Sequence, residues 1–198
     1  MLAVATPSTA RAEQKSATRR RIVEATVDLH STIGPARTTI SAVADRAGVP
    51  RLTVYRHFPD QRELELACSA LIMAREPLPD PAAWAGDTPT ERLRHGLDEL
   101  YRYYARNEGM LANVLRDAEV LPTTHEMVKL RVTPGLARIR DALVGQIPVA
   151  DDRRRELVAA TELAIDFATW RLLVRRRRLS RRRAAELMTR LVIAAAGP

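Results

Sequence analysis

A short segment between residues 51 and 57 carries side chains whose chemistry suits contact with a nucleic acid. Val54 and Phe58 fall on one face of a helix and are expected to pack inward together with Val49. The side chains left on the outward face are Arg51, Leu52, Thr53, Tyr55 and His57. A guanidinium, a hydroxyl, a phenol and an imidazole beside one apolar side chain can reach phosphates and base edges. The segment therefore predicts a surface that contacts DNA.

The residues just before this segment predict a second helix and a tight turn. Thr39 is a suitable N-cap, and the apolar side chains after it recur on one helix face, namely Ile40, Val43, Ala44 and Ala47. Gly48 can adopt the left-handed backbone of a helix-to-helix turn, and Pro50 is expected to be the first residue of the next helix. The whole run from Thr38 to Phe58 is typical of a helix-turn-helix.

This run closely resembles the DNA-binding domain of TetR-family repressors. The family pattern has an Ala-Gly-Val turn followed by Thr-x-Tyr-x-His-Phe, and here these are residues 47–49 and 53–58. The resemblance covers about residues 16–74, whereas the rest of the chain is similar to the family only in length and helical layout. It implies an all-α fold, in which an N-terminal three-helix DNA-binding domain is followed by a helical ligand-binding and dimerisation domain.

The resemblance also implies which residues bind DNA. Arg51 is expected near a guanine, Leu52 or Thr53 against a thymine methyl group, and Tyr55 and His57 on the phosphate backbone. The full predicted set is Thr39, Arg51, Leu52, Thr53, Tyr55 and His57. Relatives often have a phosphate-contacting Lys at position 61, where this chain has Gln61. Arg62 is adjacent, but a shift of one residue turns a helical side chain by about 100°.

The predicted domain boundaries follow composition and charge. Residues 1–15 lack periodicity and are expected to be a disordered arm, residues 16–62 the DNA-binding domain, and residues 63–198 the helical body, with a proline-rich loop at 75–89. The net charge of +8 divides into +4 for residues 1–75, −4 for residues 76–170 and +8 for residues 171–198. A basic head followed by an acidic body is typical of a DNA-binding head joined to a domain with another task.

Two arginine runs are open to more than one interpretation. Arg19, Arg20 and Arg21 can be a solvated helix end, or can contact phosphates or a minor groove beside the head. The run Arg175–Arg183 is expected to be a solvated turn. The alternatives for this second run are an acidic partner or the acidic middle of the same chain.

The C-terminal part predicts two helices suited to dimerisation. The segment from Asp151 to Arg178 is apolar around most of its circumference, and a last helix follows from Ser180 to about Ala195. Two such helices per subunit can pair as a four-helix bundle, which is how TetR-like proteins dimerise. The predicted interface residues are Ala164, Ala168, Leu172, Leu187 and Leu191.

The helical body also contains side chains that can line a pocket for a small molecule. They are Leu100, Tyr103, Tyr104, Met110, Leu115, Phe167 and Trp170. An ordinary packed core is compatible with the same residues. The resemblance to a ligand-controlled family favours the pocket, and the lining predicts a small, largely apolar effector.

Several classes of function lack support in the sequence. The four histidines form no H-x-x-x-H pair, so no metal site is expected. The single cysteine excludes an intrachain disulfide. No catalytic or nucleotide-binding motif occurs, so no cofactor and no enzyme activity are expected. Cys68 shares a face with apolar residues and is expected to be buried. No stretch reaches the length of a signal peptide or membrane span, which predicts a cytoplasmic protein.

Taken together, the residues and the resemblance predict a dimeric transcription regulator. We expect a repressor that binds a palindromic DNA operator and is released from it by the effector. The alternative is a helical interaction protein whose basic segments bind acidic partners or nucleic acid without sequence preference.

Overall fold

The computed structural model describes residues 7–84 and 86–197, and over these residues it contains helices and turns but no strand. The principal α-helices are α1 Pro7–Thr32, α2 Ile40–Ala47, α3 Arg51–His57, α4 Gln61–Arg75, α5 Pro89–Arg106, α6 Glu108–Ala118, α7 Pro122–Met127, α8 Thr133–Val144, α9 Arg154–Ile165, α10 Phe167–Trp170 and α11 Arg181–Ala196. The predicted all-α fold class is confirmed.

The chain divides into two compact units. The first is formed by Met1–Arg75 together with Ala112–Val128, and the second by Glu76–Leu111 together with Lys129–Pro198. The first unit therefore contains more than the predicted head, because the second half of α6 and all of α7 belong to it. The sequence-based boundary at residue 62 does not anticipate this, since it followed the chain rather than the packing.

The first unit has one apolar core, to which α1 to α4 all contribute. Fully or nearly fully buried side chains include Ile22, Val43, Val54, Phe58 and Leu64. Cys68 is buried as expected, and its thiol lies 3.9 Å from the carbonyl oxygen of Val23. Burial raises the pKa of this thiol to about 12, so the thiolate needed for redox chemistry does not form at neutral pH.

Helix α1 begins well before the predicted arm would end. It extends from Pro7, whereas residues 1–15 were expected to be disordered; residues 1–6 lie outside the described residues. Proline is tolerated in the first turn of a helix, and the segment after it contains good helix formers such as Ala10, Ala12 and Gln14. Lack of an apolar face did not prevent helix formation here, because the segment extends a helix that is anchored in the core.

In the second unit, α11 packs against α5 and α9, and α8 packs against α9. The predicted start of α5 is confirmed: the Thr88 hydroxyl accepts from the Glu91 amide, and the Glu91 carboxylate accepts from the Thr88 amide. Leu93, Leu97 and Leu100 lie on one buried face of α5. Ser180 caps α11 with a single hydrogen bond, which its hydroxyl accepts from the amide of Arg183.

The interruption predicted at Pro134 and Gly135 lies slightly earlier. A π-helical segment, Val128–Val132, joins α7 to α8, and Pro134 falls in the first turn of α8, where a missing N–H has no cost.

The helix predicted from Asp151 to Arg178 is also divided. α9 ends at Ile165, Asp166 has an extended backbone, and a π-helical segment, Arg171–Arg176, follows α10. Buried phenols bind the carbonyls left free at this break: Tyr101 donates to Ala164 and Tyr104 donates to Ile165.

Across the described part of the chain, no helix combines the length and apolar character required to cross a membrane.

Candidate nucleic-acid interface

The helix-turn-helix of the first unit has the local geometry that its sequence predicts. The Thr39 hydroxyl accepts a hydrogen bond of 3.1 Å from the amide of Ala42 and so caps α2. Gly48 ends α2 with φ of 64°, in the left-handed region. A Cβ at this position would meet nothing within 4 Å, so the requirement for glycine comes from the backbone angle rather than from space.

Pro50 differs from its predicted role. It was expected to be the first helical residue, but its ψ of 147° makes it the N-cap of α3, which begins at Arg51. Its carbonyl still accepts from the amide of Thr53 at 2.9 Å. The helix is therefore shifted by one residue, which does not alter the side of α3 that faces solvent.

Helix α3 presents most of the predicted DNA-binding side chains to solvent. Val54 and Phe58 are buried, as predicted, and fix the helix on the core. Leu52 is 78% exposed and Tyr55 52% exposed, so a leucine and a phenol are largely open to solvent. Arg51 and Thr39 are also exposed, while Thr53 and His57 are half-buried.

A group of cations surrounds His57. Partial burial and the nearby charges of Arg56, Lys15 and Arg19 lower the pKa of the imidazole, which favours its neutral form. The neutral ring can donate one hydrogen bond, and a phosphate placed beside it would favour protonation. This positive potential is a physical reason for an anion to bind here.

Three basic residues of this surface lie outside the predicted set of DNA contacts, although contact with phosphates was one of the two interpretations given for Arg19. Arg56 is exposed on α3, and the Arg19 guanidinium lies 4.4 Å from the centre of the Phe58 ring. Lys15 is the third. Arg20, by contrast, forms an ion pair with Glu24 at 3.2 Å. In the arginine run of α1, Arg19 therefore lies at the head surface, whereas Arg20 pairs with a residue of the same helix. In the sequence, only the charge of these residues could have indicated a place on the head surface.

At the start of α4, the residue that departs from the family pattern, Gln61, binds a side chain of its own unit. Gln61 donates a hydrogen bond of 3.0 Å to Glu65, and Thr123 of α7 donates one of 3.0 Å to the same oxygen. Arg62 forms an ion pair of 2.9 Å with Glu126. The side chains of Gln61 and Arg62 thus both bind partners within the first unit.

Side chains of α6 bind the C-terminal end of α1 in the first unit. The Asn113 amide donates to the carbonyls of His30 and Ser31 at 3.1 and 2.9 Å. The Asp117 carboxylate accepts from the amide of Ala36 at 2.9 Å and pairs with Arg116. These contacts satisfy backbone groups that a helix end leaves without partners.

The predicted pocket residues are only partly brought together. In the second unit, the Tyr104 ring lies 5.3 Å from Phe167 and 5.9 Å from Trp170, and Tyr103 lies 6.0 Å from Tyr104. Leu100 is also buried in this unit, and Met110 is half-buried there. Leu115 belongs to the first unit. Burial raises the pKa of Tyr104 far above its usual value, so the phenol remains protonated.

One predicted interface residue is not available to a partner. Ala164 is fully buried within the chain, and its carbonyl accepts from Tyr101, so the side chain permits close packing inside the protomer. Ala168 is exposed, Leu187 is half-buried, and Leu172 and Leu191 are 42% and 49% exposed. Leu163, absent from the prediction, is 56% exposed. Its position on the less polar side of α9 was the available signal.

No cluster of three or more His, Cys, Asp or Glu side chains placed to hold a metal ion occurs within residues 7–84 and 86–197.

Residues 22–68 match the family described as bacterial regulatory proteins, tetR family. The chain is 33% identical over 135 residues to the HTH-type transcriptional repressor KstR of Mycobacterium tuberculosis, with 65% of this chain and 61% of that protein covered. It is 37% identical over 109 residues to KstR of Mycolicibacterium smegmatis, with 54% and 52% covered. The matches thus span about half to three fifths of the length of these curated relatives.

The solved structures extend the similarity to most of the chain. A tetR-family transcriptional regulator from Streptomyces coelicolor superposes with a TM-score of 0.61 at 23% identity, covering 89% of this chain and 78% of that one. At this identity the likeness concerns the fold. Residues 22–68 thus match the tetR family, and the curated relatives and the shared fold agree with that match over a larger part of the chain.

Proposed function

We propose that the protein is a transcriptional repressor that binds a palindromic operator as a homodimer and is released by a small, largely apolar molecule. The observation that carries the DNA-binding part is α3, which exposes Arg51, Leu52 and Tyr55 while Val54 and Phe58 hold the helix on the core. Its KstR relatives are named as repressors, which supports the direction of regulation. A role on bacterial DNA implies a cytoplasmic location.

The side chains of α3 divide into two groups by chemistry. Arg51 and Leu52 lie in the first turn of the helix, where a guanidinium can bind a guanine and an alkyl group can contact a thymine methyl. Tyr55, His57 and the Thr39 hydroxyl can donate to phosphates, because the Thr39 oxygen accepts from Ala42 but keeps its own proton to donate. We assign the first group to sequence reading and the second to positioning on the backbone.

Operator binding is tested by measuring affinity for a palindromic site selected from random DNA and for a scrambled duplex at the same salt concentration. A specific regulator is expected to prefer the selected site by about 10³-fold or more. Equal affinity for both, with a steep salt dependence, would instead support the alternative of an interaction protein that binds nucleic acid through charge alone.

A dimer is supported by the apolar side chains exposed on the last helices. Leu163, Leu172 and Leu191 are each between 42% and 56% exposed, and Ala168 lies exposed between the first two along the chain. A second copy of the chain that covered them would remove this apolar surface from water. Reading of two half-sites also requires two α3 helices in one assembly.

Ligand control is supported by the aromatic cluster of the second unit. Trp170 is fully buried, and its indole N–H has no hydrogen-bond partner among the described residues. A buried donor without a partner is costly, and an effector with one acceptor atom would satisfy it. The effector we expect is therefore apolar over most of its surface and carries one such acceptor.

The effector proposal is tested with a library of small apolar compounds screened for loss of operator binding. A true effector is expected to quench Trp170 fluorescence, measured in a Trp84→Phe variant so that Trp170 is the only indole. Effector and operator must weaken each other's binding by the same factor. If no compound changes operator affinity, the protein is a DNA-binding regulator without this form of control.

A further inference from the structure

The arginine run Arg175–Arg183 is only partly explained by contacts within the chain. Arg175 forms an ion pair of 2.7 Å with Glu108, and its guanidinium lies 5.2 Å from the Trp170 ring centre. Arg181 forms an ion pair of 2.8 Å with Asp98. The acidic middle of the chain thus neutralises two of these arginines, which answers one of the alternatives left open by the sequence.

Five arginines of the run remain without an ion pair among the described residues. They are Arg176, Arg177, Arg178, Arg182 and Arg183, and all five are exposed. We call them the basic turn. Their like charges repel one another, and Arg182 and Arg183 also lie at the positive end of the α11 dipole. An anion bound here would relieve both unfavourable terms.

The backbone at Arg178 gives a second indication that the charge has a use. Its φ is 57°, and it is the one non-glycine residue with a positive φ within the described residues. Hydrogen bonds from Arg177 to Leu172 at 2.9 Å and from Leu179 to Leu173 at 3.0 Å fix the chain on either side. Glycine or asparagine would adopt this conformation with less strain. Backbone strain of this kind occurs at functional sites, and here it places a guanidinium at the turn.

One arginine of the basic turn, Arg182, also lines an open groove of the second unit. The groove has a volume of about 440 Å³ and lies between the start of α5 and the start of α11. Its lining is Gly86, Asp87, Glu91, Arg94, His95, Asp98, Glu99, Arg102 and Arg182. A space of this size can hold a small molecule.

Most of the acidic groups in the groove already have donors. Asp98 binds Arg181 and Arg102, Glu99 binds Arg102 at 2.6 Å, and Glu91 accepts from the amides of Asp87 and Thr88. Arg94 and Arg182 form no ion pair with a described residue, and Asp87 is the one carboxylate of the lining that accepts no hydrogen bond from a described residue. The charges still available in the groove are therefore predominantly positive.

We propose that the groove and the basic turn bind a small polyphosphate, meaning a soluble anion that carries a diphosphate or triphosphate group. Guanidinium groups suit phosphate oxygens, and a phosphate chain lying in the groove can meet Arg94 and Arg182 while its end meets the exposed turn. A nucleic acid duplex would contact only the exposed turn, so the groove favours the smaller anion. This site is additional to operator binding and to the aromatic cluster.

The test is calorimetric titration of the full-length protein with tripolyphosphate at low ionic strength. The DNA-binding head is also basic, so the titrations use an Arg51→Ala, Arg56→Ala background. In that background, Arg178→Asn and Arg182→Ala are each expected to weaken binding about threefold, and the pair about tenfold. Arg178→Lys keeps the charge and is expected to retain most of the affinity. Arg138→Ala, a change to another exposed arginine, is the matched control.

Asparagine tolerates the left-handed conformation, so Arg178→Asn is expected to unfold at the same temperature as the parent or a higher one. Weakened tripolyphosphate binding at unchanged stability supports the proposal. Equal affinity for tripolyphosphate in the background protein and in the variant that also carries Arg178→Asn and Arg182→Ala overturns it. So does a protein that ignores tripolyphosphate but loses random-duplex binding on these substitutions, because the basic turn would then be a nucleic-acid surface.

Discussion

The phenol of Tyr101 donates a hydrogen bond of 2.8 Å to the backbone carbonyl of Ala164, and Tyr104 does the same for the next carbonyl along the chain. In a continuous helix these two carbonyls would accept from the amides four residues later. The extended backbone of Asp166 prevents that. The break between α9 and α10 is therefore stabilised by two side chains of α5.

Removing one of these phenols is expected to destabilise the fold. Tyr101→Phe leaves the Ala164 carbonyl buried without a partner, at a cost of about 1–3 kcal/mol in the free energy of unfolding. Urea denaturation measures this cost. Tyr103→Phe is the control, because the Tyr103 phenol makes no hydrogen bond among the described residues. Equal effects of the two changes would refute the role of the Tyr101 hydroxyl.

Arg51→Ala is expected to weaken operator binding by about 1–3 kcal/mol and to relax the preference at one base pair, because a guanidinium that reads a guanine is lost. Competition titrations against operators altered at each position measure both effects. Arg37→Ala, outside α3, is the control. An equal loss on operator and random DNA would mean that Arg51 contacts phosphate only.

Tyr55→Phe is expected to behave differently from Arg51→Ala. The ring is kept while one hydrogen bond to a phosphate is lost, so affinity falls by about 0.5–1.5 kcal/mol with the same base preference. The same competition titrations distinguish the two results. A changed base preference without loss of affinity would assign Tyr55 to sequence reading instead.

Ala168→Glu is expected to dissociate the proposed dimer, because it introduces a charge without a partner between the exposed leucines at 163 and 172. Light scattering should then report the mass of a monomer. Ala82→Glu, at an exposed position of the loop before α5, should leave the mass unchanged. A dimer in the Ala168→Glu variant would show that this face lies outside the interface.

His30 is expected to make stability depend on pH. Burial lowers the pKa of this imidazole to about 4, although the Asp117 carboxylate opposes the effect. In the unfolded chain the His30 imidazole becomes protonated near pH 6.5. In the folded chain it becomes protonated only near pH 4. Stability therefore falls as the pH decreases through this window, by at most about 3 kcal/mol.

Urea denaturation between pH 7 and pH 4.5 tests this expectation. His30→Gln should lose less stability over the range than the parent, whereas His125→Gln, at an exposed position, should behave like the parent. Parallel pH profiles for the parent and His30→Gln would exclude His30 as the source.

The local features of the head were predictable because each depends on neighbouring residues. The Thr39 cap, the left-handed Gly48 and the outward face of α3 follow from side-chain type and helical period. The capping box at Thr88 is a case of the same kind. Such signals are contained within a few residues, so a single sequence is sufficient to read them.

The missed features depend on partners far away in the chain. The break at Asp166 is stabilised by tyrosines more than 60 residues earlier, and the extended pattern of apolar residues gave no sign of it. Glu65 is buried and accepts hydrogen bonds from Gln61 and Thr123, and Thr123 lies 58 residues away. The burial of Ala164 also became evident only from the packing of its own chain.

The binding of the α1 end by α6 bears on how a fragment that carries the helix-turn-helix should be cut from this protein. A fragment ending at Arg75 would lack Asn113 and Asp117, leaving the carbonyls of His30 and Ser31 and the amide of Ala36 without these partners. The first unit, which carries the helix-turn-helix, is thus assembled from two stretches of chain. A minimal head for grafting onto another regulator must carry residues 112–128 as a second piece, joined by a designed linker or supplied as a separate peptide.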